Sequence, residues 1–172
     1  IYDGTSAVML SGETAAGKYP VAALETMAAI VRRTEADINH YGRMQKMTPD
    51  IRLGISGATA HAACTMATDT NASAIITVTK SGGTPRLISR FRPDTPIVAC
   101  VMEEGVRRQL ALTWGVTPIL MPYVRSTDEM IEGSVAAAKA ELDKEKEDLD
   151  AKAEELSVYE DIEEKVERSR EN

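Results

Sequence analysis

The sequence that decides the fold runs Ala74-Ile75-Ile76-Thr77-Val78-Thr79 and continues as Lys80-Ser81-Gly82-Gly83-Thr84. The first six residues are mostly apolar and β-branched, which is typical of a parallel strand covered on both faces. Two glycines follow, and helical spacing of apolar residues begins directly after them. A buried strand that passes through a glycine turn into a helix is the repeating unit of an α/β sheet.

The same order of elements repeats on either side of this unit. Helical patterns cover residues 56–69, 83–91 and 103–114, and short apolar strands are predicted at 96–101 and 116–121. Ser126 and Glu129 have the spacing of a capping box, which predicts the start of a further helix. Strands joined by single helices require right-handed crossovers and parallel pairing. We therefore predict an α/β fold, a three-layer α/β/α domain with a mostly parallel sheet, over residues 50–138.

The residues before this domain have a different pattern. Ala7-Val8-Met9-Leu10, closed by Ser11-Gly12, predicts a buried strand that enters a loop. Pro20 occupies a favoured first helical position, and the apolar spacing that follows predicts one long helix over residues 21–45. Thr48-Pro49-Asp50 interrupts that spacing and predicts a boundary between residues 47 and 54. Residues 1–49 are thus expected to form one strand-helix unit.

A charged tail occupies residues 139–172, which contain no Gly and no Pro. Fourteen of these residues are acidic and seven are basic, so the tail accounts for the whole net charge of -7. Leu142, Leu149 and Leu156 recur every seven residues, as in a helix that packs on itself or on the domain. Glu145 interrupts this stripe, and a solvated helix explains the tail equally well.

The composition excludes several classes of function. The longest apolar runs, such as residues 72–78, are too short to span a bilayer, and no basic patch typical of nucleic-acid binding is present. No secretory signal is visible at the start of the chain. Cys64 and Cys100 lie in apolar stretches without metal-ligand spacing, which predicts two reduced, buried thiols in a cytoplasmic protein. Because the chain opens at Ile1 directly before a strand pattern, we expect it to be a segment of a longer protein.

The strongest candidate site is the glycine loop, which we define as residues 79–84. Gly82 and Gly83 allow successive N–H groups to turn toward one point, and the helix that follows adds its free N–H groups and the positive end of its dipole. Ser81, Thr84 and Lys80 add hydroxyl donors and a positive charge. The loop therefore suits a phosphate group, although an ordinary strand-to-helix turn would need the same glycines. The glycine and lysine spacing differs from that of a P-loop.

Other residues are weaker candidates. Ser11 and Glu13 could position a substrate or a water, or could simply cap a turn. His40 and His61 stand apart from other potential ligands, and packing roles are expected for both. Three arginines that follow the glycine loop could support an anion or cover a solvated helix face, namely Arg86, Arg90 and Arg92.

Three blocks of the sequence together resemble the pyruvate kinase family. The first is Asp3-Gly4-Thr5-Ser6-Ala7-Val8-Met9-Leu10-Ser11-Gly12-Glu13-Thr14-Ala15 with Gly17-Lys18-Tyr19-Pro20. The second joins Ala60-His61-Ala62-Ala63 and Ala74-Ile75-Ile76 to the glycine loop and to Arg90-Phe91-Arg92-Pro93. The third is Arg108-Gln109-Leu110-Ala111 with Trp114-Gly115-Val116. Their order and spacing cover roughly residues 1–142.

The resemblance implies a role for each part of the chain. Residues 1–49 would be the last unit of a catalytic (β/α)8 barrel, with Ser11 and Glu13 at the border of its active site. Residues 50–138 would be the allosteric domain, whose glycine loop holds a phosphate of a phosphorylated sugar or nucleotide effector. The whole protein would be an oligomeric enzyme that makes ATP and pyruvate from phosphoenolpyruvate and ADP with Mg²⁺ and K⁺.

Two departures from the family pattern limit this inference. The catalytic lysine, the metal-binding acids and the substrate-binding arginine of the family belong to earlier barrel strands, which this sequence does not include. We therefore expect the segment to bind no metal and to be inactive alone. After about Leu142 the acidic tail replaces the apolar strands and glycine-rich loop that complete the family's effector pocket. A phosphate-binding module without catalysis and an oligomerisation piece remain as alternatives.

Overall fold

A computed structural model describes residues 1–47 and 54–170, except for the side chains at positions 45, 47 and 155–170. Within these residues the chain forms seven helices and three strands. In chain order they are α1 (Gly12–Ala15), α2 (Pro20–Ala36), α3 (His40–Met47), α4 (Ile55–Asp69), β1 (Ile75–Thr79), α5 (Gly83–Arg90), β2 (Ile97–Val101), α6 (Glu104–Leu110), β3 (Val116–Leu120) and α7 (Thr127–Arg170).

The three strands form one parallel sheet in the order β1-β2-β3. Ile97 of β2 pairs with Ile75 on one side and with Val116 on the other. Because β2 is hydrogen-bonded along both edges and covered on both faces, all five of its residues are buried. This confirms the continuous apolar pattern from which a parallel strand was predicted.

Two apolar clusters cover the two faces of the sheet. On one face, Ile97, Ala99 and Val101 pack with residues of α4, α5 and α6, including Ile88 and Leu110. On the other face the cluster joins side chains of the sheet and of α7, namely Val98, Cys100, Met121 and Ala138. The three-layer α/β/α prediction is confirmed. Both cysteines are buried as expected, and burial raises the pKa of the Cys64 thiol to about 11.

The predicted strand at residues 7–10 is wrong for this chain. These residues form no ladder, and Val8 and Met9 are exposed. A strand requires a neighbour to accept its backbone hydrogen bonds, and the sheet of the described residues lies elsewhere in the chain. The barrel-type strand is therefore not formed.

The predicted single helix over residues 21–45 is divided into α2 and α3. The Oδ1 atom of Asn39 accepts a hydrogen bond from the N–H of Gly42 at 2.8 Å, and its carbonyl accepts one from Arg43. Asn39 thus starts a new helix, because an asparagine at this position satisfies N–H groups that an uninterrupted helix would bond internally. The predicted boundary at residues 47–54, with Thr48-Pro49-Asp50, lies outside the described residues.

The last helix is longer than predicted, whereas α6 is shorter. α7 begins after Ser126, where the capping box was placed, and continues through the tail without a break. No Gly or Pro interrupts residues 139–172. Leu142 is half-buried and Leu149 is 66% exposed, so the heptad stripe leaves the domain between them. The side chains of Leu156, Ile162 and Val166 lie outside the described residues. In the described part of the chain no helix is long and apolar enough to cross a membrane.

Phe91 provides a test of the core. Its ring is 1% exposed and meets the edge of His61 with ring centroids 5.2 Å apart. Phe91→Ala removes the only phenylalanine of the chain and should lower the free energy of unfolding by about 3–5 kcal/mol. Urea denaturation followed by circular dichroism measures this change. Tyr123→Ala, at a 76% exposed aromatic, is the matched control and should change it by less than about 0.5 kcal/mol. Equal effects of the two substitutions would contradict the assigned core.

Candidate functional site

The glycine loop connects the carboxyl end of β1 to the first turn of α5. Gly82 has a φ of +79° and is the residue directly before α5. Its N–H donates to Oγ1 of Thr79 at 3.0 Å, which closes the loop. A Cβ at this position would lie 3.0 Å from Nη1 of Arg86 and 3.1 Å from Cδ2 of Leu110. Both the backbone conformation and the lack of space therefore require glycine.

The loop presents fewer outward donors than its sequence alone predicts. Thr79 and Gly82 are buried and bonded to each other, so the Gly82 N–H does not point to solvent. Gly83 and Thr84 occupy the first two positions of α5, where the N–H groups have no carbonyl one turn earlier. Pro85 comes next and has no N–H. What the loop offers a ligand is the start of α5 together with the exposed Lys80 and Ser81.

Arg86 fixes the rim of this loop. Its Nη1 donates to the carbonyl oxygen of Ser81 at 3.1 Å, and its Nη2 donates to Oε1 of Gln109 at 3.2 Å. The guanidinium therefore ties the loop to α6. The positive charge of Arg86 thus lies close to the loop, and no carboxylate among the described residues forms an ion pair with it.

Ser11 and Glu13 form a local cap. Oε2 of Glu13 accepts a hydrogen bond from the N–H of Ser11 at 3.0 Å, and both residues are exposed. Backbone N–H groups, first that of Glu13 itself and then that of Ser11, lower the pKa of the Glu13 carboxyl below its usual value. The pair shares no hydrogen bond with the glycine loop in the described part of the chain. Here the two residues stabilise the single turn of α1.

Both histidines have packing roles, as expected. The ring of His40 lies 5.5 Å from that of Trp114, and its Nδ1 is 3.1 Å from the carbonyl oxygen of Arg92. His61 contacts Phe91 edge-on. Among the side chains that the structure describes, no three from His, Cys, Asp and Glu are grouped closely enough to hold a metal ion.

Arg92 joins three separate parts of the chain. Its Nη2 donates to the carbonyl oxygen of Gly4 at 2.6 Å and to Oγ of Ser6 at 2.8 Å, and its guanidinium lies 4.6 Å from the ring centre of Trp114. The residue is 8% exposed and has a φ of +53°, an unusual conformation for a residue other than glycine. Burial lowers the pKa of its guanidinium, the charge of Arg43 lowers it further, and Glu35 opposes both.

Arg43 and Ser6 also belong to this region, and no pattern in the sequence predicted either of them. Ser6 lies 86 residues before Arg92, so no local spacing could have linked the two. Gly4 has a φ of +91°, and a Cβ there would lie 2.6 Å from Nη2 of Arg43. The glycine allows that guanidinium to approach the backbone. Gly4 was the only sequence feature that pointed to this contact, and its role can be recognised only once the fold is known.

Comparison with known proteins identifies the family. Residues 57–154 match the family described as "Pyruvate kinase, alpha/beta domain". The pyruvate kinase of Geobacillus stearothermophilus is 44% identical over 138 residues, which are 80% of this chain and 24% of that protein. The pyruvate kinase of Clostridium acetobutylicum is also 44% identical over 138 residues, 80% of this chain and 29% of that protein. The chain thus spans about a quarter of the length of the curated relatives it matches.

Solved structures agree with this result. A crystal structure of a pyruvate kinase from Cryptosporidium parvum is 34% identical, with a TM-score of 0.74 over 81% of this chain and 29% of that one. The structure of the Cryptosporidium parvum pyruvate kinase in complex with ADP gives a TM-score of 0.70 at the same identity, covering 81% of this chain and 28% of that one. Since the matched family domain occupies more than half of the chain and contains its entire sheet, the chain belongs to the pyruvate kinase family.

Proposed function

We propose that this chain is the C-terminal part of a pyruvate kinase, and that the whole protein transfers the phosphoryl group of phosphoenolpyruvate to ADP. Family membership over the alpha/beta domain supports this proposal. The reaction would use Mg²⁺ and K⁺ and would take place in the cytoplasm as a step of glycolysis. The catalytic machinery would lie in the rest of the barrel, with which residues 1–49 would associate as its last unit.

The proposed division assigns residues 50–138 to an allosteric domain and residues 139–172 to an acidic helical tail. In the whole protein, neighbouring barrel strands would supply the hydrogen-bond partners that residues 7–10 lack in this chain. Subunit contacts in a homo-oligomer would use the same C-terminal part. The family domain matches residues 57–154 and therefore includes the first part of the proposed tail.

The chain alone would not catalyse phosphoryl transfer. That reaction depends on metal ions and positive charges placed around the moving phosphoryl group before it leaves. In the part of the chain that the structure describes, no cluster of carboxylates is suited to a metal ion. Ser11 and Glu13, which would border the active site, are exposed and bond only within their own turn.

The role that we propose for the chain itself is to bind the phosphate of a phosphorylated sugar or nucleotide effector at the glycine loop. The observation that carries this proposal is the left-handed Gly82, which turns the end of β1 into the N-terminus of α5. Gly83 and Thr84 in the first turn of this helix are exposed, as are Ser81 and Lys80 directly before it, so their N–H groups, hydroxyl and ammonium are accessible to a ligand. Donors at a helix N-terminus and a lysine charge both favour a phosphate dianion.

Substitutions in the glycine loop test the effector proposal. Lys80→Glu replaces an attracting charge by a repelling one and should weaken the binding of fructose 1,6-bisphosphate at least about tenfold. Isothermal titration calorimetry on the 172-residue chain at constant ionic strength measures this affinity. Lys139→Glu, at an exposed lysine on α7, is the matched control and should leave it unchanged. Equal affinities in the two variants, or heat from neither the variants nor the unmodified chain, would refute effector binding at this loop.

A coupled assay with lactate dehydrogenase tests whether this chain is inactive without the rest of the protein. The isolated chain, supplied with phosphoenolpyruvate, ADP, Mg²⁺ and K⁺, should give no NADH oxidation above a protein-free blank, because the reaction needs charges that this chain does not place. The full-length protein, assayed in parallel at equal molar concentration, is the positive control. Turnover of the isolated chain at a rate similar to that of the full-length protein would disprove its proposed incompetence.

A further inference from the structure

A cavity of about 480 Å³ lies between the N-terminal segment, α3 and α5. We call it the arginine cleft, because the side chains that define it are Arg43, Arg86, Arg90 and Arg92. The glycine loop lies outside its lining, although Arg86 contacts both. The volume falls within the range of small-molecule sites. The cleft is therefore large enough for a small metabolite.

The charge of this cleft is strongly unbalanced. Asp3 is the only acidic residue in its lining, against four arginines. Within the described residues, no carboxylate is within ion-pair distance of any of the four guanidinium groups. The three ion pairs found there belong to other arginines, on α2 and α6. Residues 1–138 as a whole carry no net charge, so this concentration of positive charge is local rather than a property of the whole surface.

The arginine at the base of the cleft, Arg92, is held in position before any ligand arrives. Arg92 is fixed by Gly4, Ser6 and Trp114, and its backbone stays in a left-handed conformation. Arg43 approaches Gly4 closely, where a side chain would exclude it. Burial lowers the pKa of the Arg92 guanidinium, the nearby charge of Arg43 lowers it further, and the carboxylate of Glu35 opposes both effects. Two arginines in one cavity, neither in an ion pair with a described carboxylate, indicate a site that an anion would stabilise.

We propose that the arginine cleft is a second anion site, distinct from the glycine loop, that binds the phosphate group of a small phosphorylated metabolite. Planar guanidinium groups match the oxygens of a phosphate dianion and donate two hydrogen bonds each. Arg43 and Arg90 would bind the phosphate, while Arg92 supplies charge from the floor of the cleft. Arg86, which also bonds to Ser81, connects the cleft to the glycine loop.

The chain contains a reporter for this site. Trp114 is its single tryptophan, and its ring lies 4.6 Å from the Arg92 guanidinium. An anion that binds beside Arg92 changes the electric field at the indole and hence its fluorescence. Inorganic phosphate and glycerol 3-phosphate should each give a saturable change in tryptophan emission when chloride is replaced at constant ionic strength. Tighter binding of the ester would identify the ligand as a phosphorylated metabolite, and equal binding would identify it as free phosphate.

Two substitutions in the cleft and two outside it make this test specific. Arg43→Gln and Arg90→Gln should each raise the half-saturating concentration at least about tenfold. Arg32→Gln, at an exposed arginine of α2 outside the cleft, should leave it unchanged. Lys80→Glu should also leave it unchanged, which separates the cleft from the glycine loop. Thermal melts followed by circular dichroism confirm that each variant is folded.

Two results would overturn the proposal. A fluorescence response that fails to saturate in the unmodified chain, together with no heat of binding by calorimetry, would show that the cleft binds no phosphate. A saturable response that is lost in Lys80→Glu and retained in both Arg43→Gln and Arg90→Gln would assign the signal to the glycine loop. If phosphate binds in the cleft but not at the glycine loop, the effector proposal is refuted and the proposal for the cleft stands.

Discussion

The rest of the structure depends on the complete burial of β2. A strand with no exposed face and no free edge must be flanked by parallel neighbours and covered by helices on both sides. Here β1 and β3 supply the neighbours, α4, α5 and α6 cover one face, and α7 covers the other. Parallel pairing then brings the carboxyl ends of all three strands to the same edge of the sheet. That edge is where open α/β sheets place their ligands, and the glycine loop is its first connection.

A second constraint joins the N-terminal segment to the sheet domain. Arg92 follows the last turn of α5 and bonds to Gly4 and Ser6, while Glu35 of α2 accepts a hydrogen bond from Nε1 of Trp114 at 2.7 Å. His40 of α3 approaches the Arg92 carbonyl from the other side. These are polar contacts between residues far apart in sequence. They act together with Met44 of α3, which is buried in the core of the domain. Of these residues, Gly4, Ser6 and Arg92 also line the arginine cleft.

The sheet could be predicted from the sequence because its signals are local, whereas the cleft could not. Ile97 to Val101 is a continuous apolar run, and Gly82 marks the turn at which the strand meets its helix. The division at Asn39 was missed because the apolar spacing continues across it, and only the hydrogen bond to Gly42 shows that a new helix begins. The strand at Val8 was wrongly predicted because its composition is suitable but it has no partner. Arg43 and Arg92 meet only after folding, so their shared cavity had no sequence signature.

We propose that a phosphate binds at the start of α5, and this proposal depends on the amide groups of Gly83 and Thr84 in the first turn of that helix. Backbone ¹⁵N–¹H NMR of the 172-residue chain during a titration with inorganic phosphate measures those groups individually. We expect saturable shifts that are largest at the N–H groups of Gly83 and Thr84, with little change at Gly82, whose N–H already donates to Thr79. Absence of saturable shifts at Gly83 and Thr84, with shifts confined to residues distant from α5, would contradict it.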